Sequence, residues 1–262
     1  MQFKYLQWSG AVLMLVASAM AGAASCEKVV ISVGPDYPPL HWYDGKAFHG
    51  ASIDIVSRVF ADMHVPVEWR YVGPFARVLA TAQAGKIDVI ASLKMTPERK
   101  AFLAFSSSPA FNDPVAVFVA RTRRFPYAGA ADLVGHTGGM VIGTRFGEPL
   151  DTLVRTQLTI QQASMLDLNF KKLEMGRIDY LIAGYYHGTS YLQANRIADK
   201  FVALTPYVLQ AYDHVAFVKA SPCQRYQADF GARLARLVAA GETTRAIDTA
   251  TEAWKKAPVV GH

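Results

Sequence analysis

An α/β fold of two similar lobes, each built on a mostly parallel sheet, is what this sequence predicts. Three observations carry that expectation. Short β-branched runs alternate with segments whose apolar residues recur at helical spacing. The links between them are short, as in an α/β layer. The stretch Ala84-Gly85-Lys86-Ile87-Asp88 returns as Met175-Gly176-Arg177-Ile178-Asp179, the same helix end, Gly, base, Ile and Asp. With 262 residues, 52% hydrophobic and 18% charged, the chain can bury one or two cores. Its 27 basic and 21 acidic residues give a net charge of +6, but the bases are scattered, which argues against a nucleic-acid partner. The 2 cysteines, Cys26 and Cys223, exclude a disulfide-dense miniprotein and a four-thiolate metal site.

Residues 1–24 read as a signal peptide. Lys4 supplies a positive start, Trp8 to Met20 is an uncharged apolar run, and Ala21-Gly22-Ala23 has the small-x-small pattern a signal peptidase accepts. Cleavage is expected between Ala23 and Cys26. The run is short for a membrane span and ends in small residues. Ala23-Ala24-Ser25-Cys26 only loosely resembles a lipobox, with Ala where Leu usually stands, so a lipoprotein is the lesser alternative. No later segment reaches membrane-spanning length, and the expected location is the periplasm, an oxidising compartment where the cysteines can pair.

Lys28 to Val33 is a β-branched strand that exits into Gly34-Pro35-Asp36-Tyr37-Pro38-Pro39, where proline forbids regular pairing. Ile53, Val56, Phe60 and Met63 recur at helical spacing; Val65 to Tyr71 returns to strand composition before Gly73-Pro74. Phe75 to Ala84 is helical and closes at Gly85, as a C-terminal glycine would close it. Ile87 to Leu93 is the third strand. In such a layer the ligand crevice lies beyond the carboxyl ends of the strands, here the Pro35–Pro39 loop and the segment from Ser92 to Arg99.

The second pattern starts near Pro114. Val115 to Ala120 is a strand, Gly138 to Gly143 a glycine-broken apolar run, Leu150 to Gln157 and Met165 to Glu174 are helical, and Ile178 to Ala183 is again a strand. After Val215 to Lys219, an amphipathic helix runs from Tyr226 to Ala240, and another follows Glu242. No Ser-rich or Gly-rich linker separates the halves, so short crossings near Pro109 to Asp113 and Leu209 to Asp213 must join them. The first lobe is thus expected to comprise residues 25–110 plus 212–262, and the second residues 111–211.

Ile31-Ser32-Val33-Gly34, Tyr37-Pro38-Pro39-Leu40, Gly50-Ala51-Ser52-Ile53-Asp54-Ile55, Gly85-Lys86-Ile87-Asp88, Thr96-Pro97-Glu98-Arg99 and Phe105-Ser106 occur in one order. This series resembles the periplasmic solute-binding proteins of polar amino-acid transporters, extracellular solute-binding protein family 3, and the similarity runs from about residue 28 to the end. The resemblance implies a type II periplasmic-binding fold: a two-lobed clamp, hinged on two crossing segments, that traps a small ligand. It also places Cys26 and Cys223 beside strands of one lobe, where a disulfide is expected.

Arg99 is the first candidate for the site. Thr96 can cap a helix whose first residue is Pro97, which sets Arg99 at the helix start. In the resembled family, the Arg of this motif holds the α-carboxylate of a bound amino acid. Tyr37 and Phe75 match the family's ring-stacking positions. Trp42 and Tyr43 either join them or close a core edge. Arg77 reads as part of a solvated helix face. His41, His49 and His64 lack metal-ligand spacing and read as structural or surface residues.

The second lobe departs from the family pattern. Where amino-acid binders of this family place an Asp for the ligand's α-ammonium, Gly184 stands here, followed by Tyr185 and Tyr186. Lys94 occupies a place where a small hydroxyl residue is common and is expected to add positive charge. With Arg99, Lys94 and Arg145 converging, and Ser92, Gly184 and Tyr185 beside them, the resemblance implies a site for an anion rather than a zwitterion. Alternatively, Glu148 or Asp151 replaces the missing acid. Gly143 to Gly147 lacks the Lys-Ser/Thr of a phosphate loop.

The resulting expectation is a monomeric, non-enzymatic binding protein, without cofactor or metal, that takes a small carboxylate-bearing solute. It would serve ABC-type uptake through a membrane permease, or a sensor kinase. The alternative from the same fold is a cyclohexadienyl-dehydratase-like enzyme. That chemistry needs a general acid in the cleft, for which Glu148, Asp151 and Asp179 are candidates. A structural or interaction role is a third class.

Overall fold

The computed structural model describes residues 25–257. The expected signal peptide, residues 1–24, lies outside them. The first half of the chain folds as β1 (Val29–Ser32), β2 (Asp36–Tyr37), β3 (His41–Tyr43), β4 (Phe48–His49), α1 (Ala51–Asp62), β5 (Val67–Trp69), α2 (Phe75–Gln83), β6 (Val89–Lys94), α3 (Pro97–Lys100), β7 (Leu103–Phe105) and β8 (Phe111–Asn112). It continues as β9 (Val115–Ala120), β10 (Thr137–Val141), α4 (Leu150–Thr156), β11 (Thr159–Ala163), α5 (Leu166–Glu174), β12 (Tyr180–Gly184), α6 (Tyr185–Ala194) and β13 (Phe201–Ala203). The chain then returns through β14 (Tyr212–Val218) to α7 (Gln227–Ala239) and α8 (Glu242–Lys256).

Two sheets carry the molecule, and they are built alike. The first has the order β5-β1-β6-β14-β7, with β8 on β14; the second has the order β11-β10-β12-β9-β13. In each, three strands run parallel and a fourth, β14 or β9, lies antiparallel beside the last of them. The repeated sequence motif explains the likeness residue by residue. Gly85 and Gly176 end α2 and α5 with φ of +65° and +69°, where an L side chain would be strained. Asp88 and Asp179 each accept a backbone N–H at the start of the neighbouring strand, from Val30 at 2.7 Å and from Thr137 at 2.8 Å. The same five residues therefore stitch the third strand to the first in both sheets.

Strands β6, β9 and β12 are buried along their whole length, because apolar side chains cover both faces of each sheet. On the first sheet, α1, α7 and α8 pack over one face around Phe60, Phe217 and Phe230, while Val78 and Ala82 of α2 cover the other. The two chain crossings run side by side. Phe111 and Asn112 pair with Asp213 and Tyr212, Asp113 N–H donates to Ala211 O at 2.9 Å, and Val115 N–H to Leu209 O at 2.8 Å.

The expected disulfide is present: Cys26 and Cys223 are bonded, with Cα atoms 5.1 Å apart. It fastens the start of the described chain to the turn before α7, where Arg225 and Tyr226 also donate to Cys26 O. Periodicity alone does not reveal α6 or β11. Gly188 breaks the helical signal of α6, and it is glycine because a Cβ there would collide with the Phe118 ring. Strand β11 is an edge with mostly exposed residues. Among the described residues, no helix is long and apolar enough to cross a membrane.

Candidate ligand cleft

A cavity of about 420 Å³ opens between the carboxyl ends of the parallel strands of the two sheets. Its walls come from the loop after β1, the end of β6, α2 and α3 on one side, and from the loop after β10 and the β12–α6 junction on the other.

Arg99 lines it. Thr96 Oγ1 accepts the Arg99 backbone N–H at 3.3 Å, with Pro97 at the first helical position, as its sequence context predicts. The guanidinium is buried, with 8% of the residue exposed. It donates from Nη1 to Lys94 O at 2.7 Å and lies 5.3 Å from the centre of the Phe75 ring. Among the described residues no carboxylate forms an ion pair with it. A guanidinium has five donors, so most of this fork is free to meet an anion.

Lys94 requires a correction. It lines the cleft, but it adds no free positive charge there, because two carboxylates already hold it. Its ammonium pairs with Asp113, and with Asp213 Oδ1 at 3.1 Å. Ser92, also in the cleft wall, donates to Asp213 Oδ2 at 2.8 Å. Burial alone would lower the Lys94 pKa; the two carboxylates outweigh it and hold the ammonium charged well above its ordinary range. Burial likewise works against Asp213, but Lys94 and Ser92 overcome it and keep this carboxyl below its usual value. For Asp113 burial wins and the carboxyl is raised. Its Oδ1 is buried without a hydrogen-bond partner.

Tyr37 completes the network. Its hydroxyl donates to Asp113 Oδ2 at 2.8 Å, and burial, with Asp113 and Asp213 nearby, pushes the phenol well above its ordinary pKa. The β2–β3 hairpin pairs Tyr37 with His41, which stacks their rings at 5.5 Å; the ring of His187 of α6 also packs against Tyr37, at 4.5 Å. Both imidazoles are held neutral by burial, His41 at a pKa of about 3. His41 is buried, in line with its structural reading, yet it also lines the cleft, as do His187 and Asp213.

Gly184 lies against this network. A Cβ at this position would overlap the Tyr37 hydroxyl and stand 3.3 Å from Asp113 Oδ1, so the space an acid would need is filled. Tyr185 is also corrected: it does not face the cleft. Gly184, the residue before α6, and His187 on its first turn are both in the cleft wall, whereas Tyr185 between them is not. Its ring packs on Tyr207 at 5.1 Å, in the wall of a separate cavity of about 300 Å³. Arg145 lines the cleft from the second sheet, exposed, and donates to Thr144 O at 2.9 Å.

Neither Glu148 nor Asp151 is in the cleft wall. Asp151 accepts the N–H groups of Phe146 and Gly147 at 2.9 and 3.0 Å, and Glu148 accepts that of Thr152 at 3.2 Å. Asp179 is engaged at the far end of its strand. Trp42 and Tyr43 pack away from the cleft, Trp42 on His49 and Trp254, Tyr43 on Tyr71 and Phe48. Sequence reasoning missed Asp113, Asp213 and His187. The signal available was an acid in each of the two crossing segments.

Solved structures with this architecture include the amino acid ABC transporter substrate-binding protein AbpA from Streptococcus pneumoniae bound to L-arginine. It is 20% identical, with a TM-score of 0.69 over 87% of this chain and 96% of that one. A histidine kinase sensor domain with similarity to periplasmic binding proteins is 20% identical, with a TM-score of 0.69 over 87% and 95%. The GluR0 ligand-binding core in complex with L-glutamate is 18% identical, with a TM-score of 0.70 over 89% and 99%. At these identities the likeness establishes the fold, that of the type II periplasmic-binding proteins. No curated protein matches the sequence. The model of the bacterial extracellular solute-binding proteins, family 3, matches residues 29–256, and the chain belongs to that family.

Proposed function

We propose that this protein is a periplasmic binding protein that captures a small carboxylate-bearing solute, an amino acid or related organic acid, between two lobes. The lobes are residues 25–110 plus 212–262 and residues 111–211. It would act as a monomer, exported by residues 1–24, and hand its solute to an ABC-type permease or present it to a sensor kinase. The observation that carries the reading is Arg99, a buried guanidinium in the cleft wall, most of whose donors are unengaged and which has no ion-pair partner among the described residues. Asp213, Asp151 and Glu98 favour its charge only from beyond ion-pair distance; a buried cation with no carboxylate in contact is costly, and a ligand carboxylate offsets that cost.

Phe75 and Tyr37 supply the apolar surface beside it, and the volume suits a small solute. A binding role is favoured over dehydration because Glu148, Asp151 and Asp179 lie off the cleft, engaged with backbone N–H groups, while of the acids that do line it Asp213 is held ionised by Lys94 and Ser92 and Asp36 is exposed to solvent. Mass spectrometry of solute released by gentle denaturation of the purified protein tests the reading, followed by calorimetry with the compound identified. A carboxylic acid that binds with one-to-one stoichiometry is the expected result. Release of an uncharged or cationic solute without a carboxylate would overturn it.

A further inference from the structure

The floor of the cleft has the composition of a receptor for an ammonium group. Two carboxylates, Asp113 and Asp213, converge on one nitrogen, the Tyr37 ring centre lies 5.9 Å from it, and Ser92 fixes Asp213. Opposite charge, acceptor oxygens and an aromatic face are the features that select a primary amine. Here the chain supplies the amine itself, at the end of the Lys94 stem. The one acceptor left over, Asp113 Oδ1, is fully buried and outside the cleft wall, so it is closed to a ligand.

We propose that Lys94 is a tethered occupant of an ammonium subsite and thereby a specificity-determining residue. By filling that subsite, it makes the cleft select carboxylates that lack an amino group on the adjacent carbon: 2-hydroxy, 2-oxo or unsubstituted acids. The inference rests on the reading of Arg99 as the carboxylate receptor. Arg99, Lys94 and Asp213 line the same cavity, so the carboxylate position and the filled subsite open on one cleft. An α-ammonium arriving beside Arg99 finds the Lys94 ammonium already seated between the two acids. The acids that would receive it are already engaged, and Tyr37 closed over Gly184 blocks the approach from the second sheet.

Lys94→Ala opens the subsite, and the fragment it removes is propylammonium, which serves as the probe. Thermal unfolding is measured in propylammonium chloride and in sodium chloride of equal ionic strength. The expected result is a rise of several degrees in the Tm of Lys94→Ala specific to propylammonium, absent from wild type and from Lys94→Met, whose apolar chain refills the space. Equal Tm in the two salts for Lys94→Ala would overturn the proposal. If that variant does not fold, Lys94→Ala with Asp113→Asn leaves a single carboxylate and is read in the same way. This arm uses no carboxylate, so it does not depend on Arg99. Calorimetry with L-phenylalanine and L-3-phenyllactate, L-alanine and L-lactate, and L-glutamate and 2-hydroxyglutarate gives the second arm. Wild type should favour the hydroxy acid about tenfold or more in any pair that binds, and Lys94→Ala should lose that preference. Amino acids binding wild type as tightly as their hydroxy analogues would sink the selectivity, while loss of all binding in Arg99→Ala would leave the carboxylate reading standing.

Discussion

Tyr37 and Gly184 touch across the cleft, one from the first hairpin and the other from the end of β12, with no room between them for a Cβ on residue 184. The hydroxyl that occupies this space is anchored on Asp113, so a side chain at 184 would have to break a buried hydrogen bond as well as displace a ring. Gly184→Ala should therefore cost about 1–3 kcal/mol, the usual range for overpacking. Tyr37→Phe should cost about 1–2 kcal/mol, since a buried carboxylate loses a donor. The double variant should be destabilised by less than the sum, with a coupling of roughly 1 kcal/mol, because removing the hydroxyl relieves the worst of the overlap and leaves only the Tyr37 ring carbon to yield, at 2.9 Å. Denaturant unfolding of the four proteins measures this. Strict additivity would mean that something other than the hydroxyl excludes a side chain at 184.

Loss of a bidentate, charge-assisted contact at Arg99 should weaken binding of the co-purified solute by roughly 1.5–3 kcal/mol, one to two decades in Kd. Arg99→Lys should recover part of this, because a lysine keeps the charge but loses the planar fork and its stacking on Phe75. Calorimetry on the wild type and both variants decides it. Arg99→Ala binding as tightly as wild type would remove Arg99 from the site.

What the sequence reveals and what it hides follow from the range of each interaction. The Gly-base-Ile-Asp repeat is legible because its parts act within one helix end and one strand start, and Asp88 and Asp179 do the same job in both sheets. Arg99 is legible for a similar reason: its position is fixed by Thr96 and Pro97 beside it. Lys94 is different. As an isolated residue it reads as a free cation, and its actual charge state is set by acids 19 and 119 residues away, which only the two crossings bring together. Tyr185 is not legible either, because an aromatic next to a cleft glycine carries no local sign of which side of α6 it occupies.

The Cys26–Cys223 bond closes a loop with a sequence separation of 197 residues. The chain-entropy account allows such a loop at most about 5 kcal/mol, and structure retained in the unfolded chain lowers that. Replacing both cysteines with serine should lower the stability measured in denaturant by an amount under this ceiling, and should leave solute affinity unchanged, since the bond lies in the turn before α7 and outside the cleft wall. Thiol labelling of unreduced, unfolded wild type should find no reactive groups. Two labelled thiols, or a lipid on Cys26, would overturn the assignment.

His41 gives the protein an acid-sensitive element whose sign can be worked out. Its free imidazole titrates near 6.5, whereas in the fold burial lowers this to about 3; Asp213 favours the protonated ring, and His187 and Lys94 oppose it. As pH falls through 6.5 the unfolded chain takes up a proton at this site that the folded chain does not accept until about 3. The unfolded state thus binds more protons throughout that window, and stability must fall as pH falls across it. His187 is also held neutral by burial and contributes in the same direction. His41→Phe keeps a ring beside Tyr37 and removes the titration, so its stability should vary less between pH 6.5 and 4 than that of wild type, with a residual slope from His187. Unfolding free energies from denaturant titrations at a series of pH values test this. A His41→Phe profile parallel to that of wild type would show that His41 is not the group that titrates.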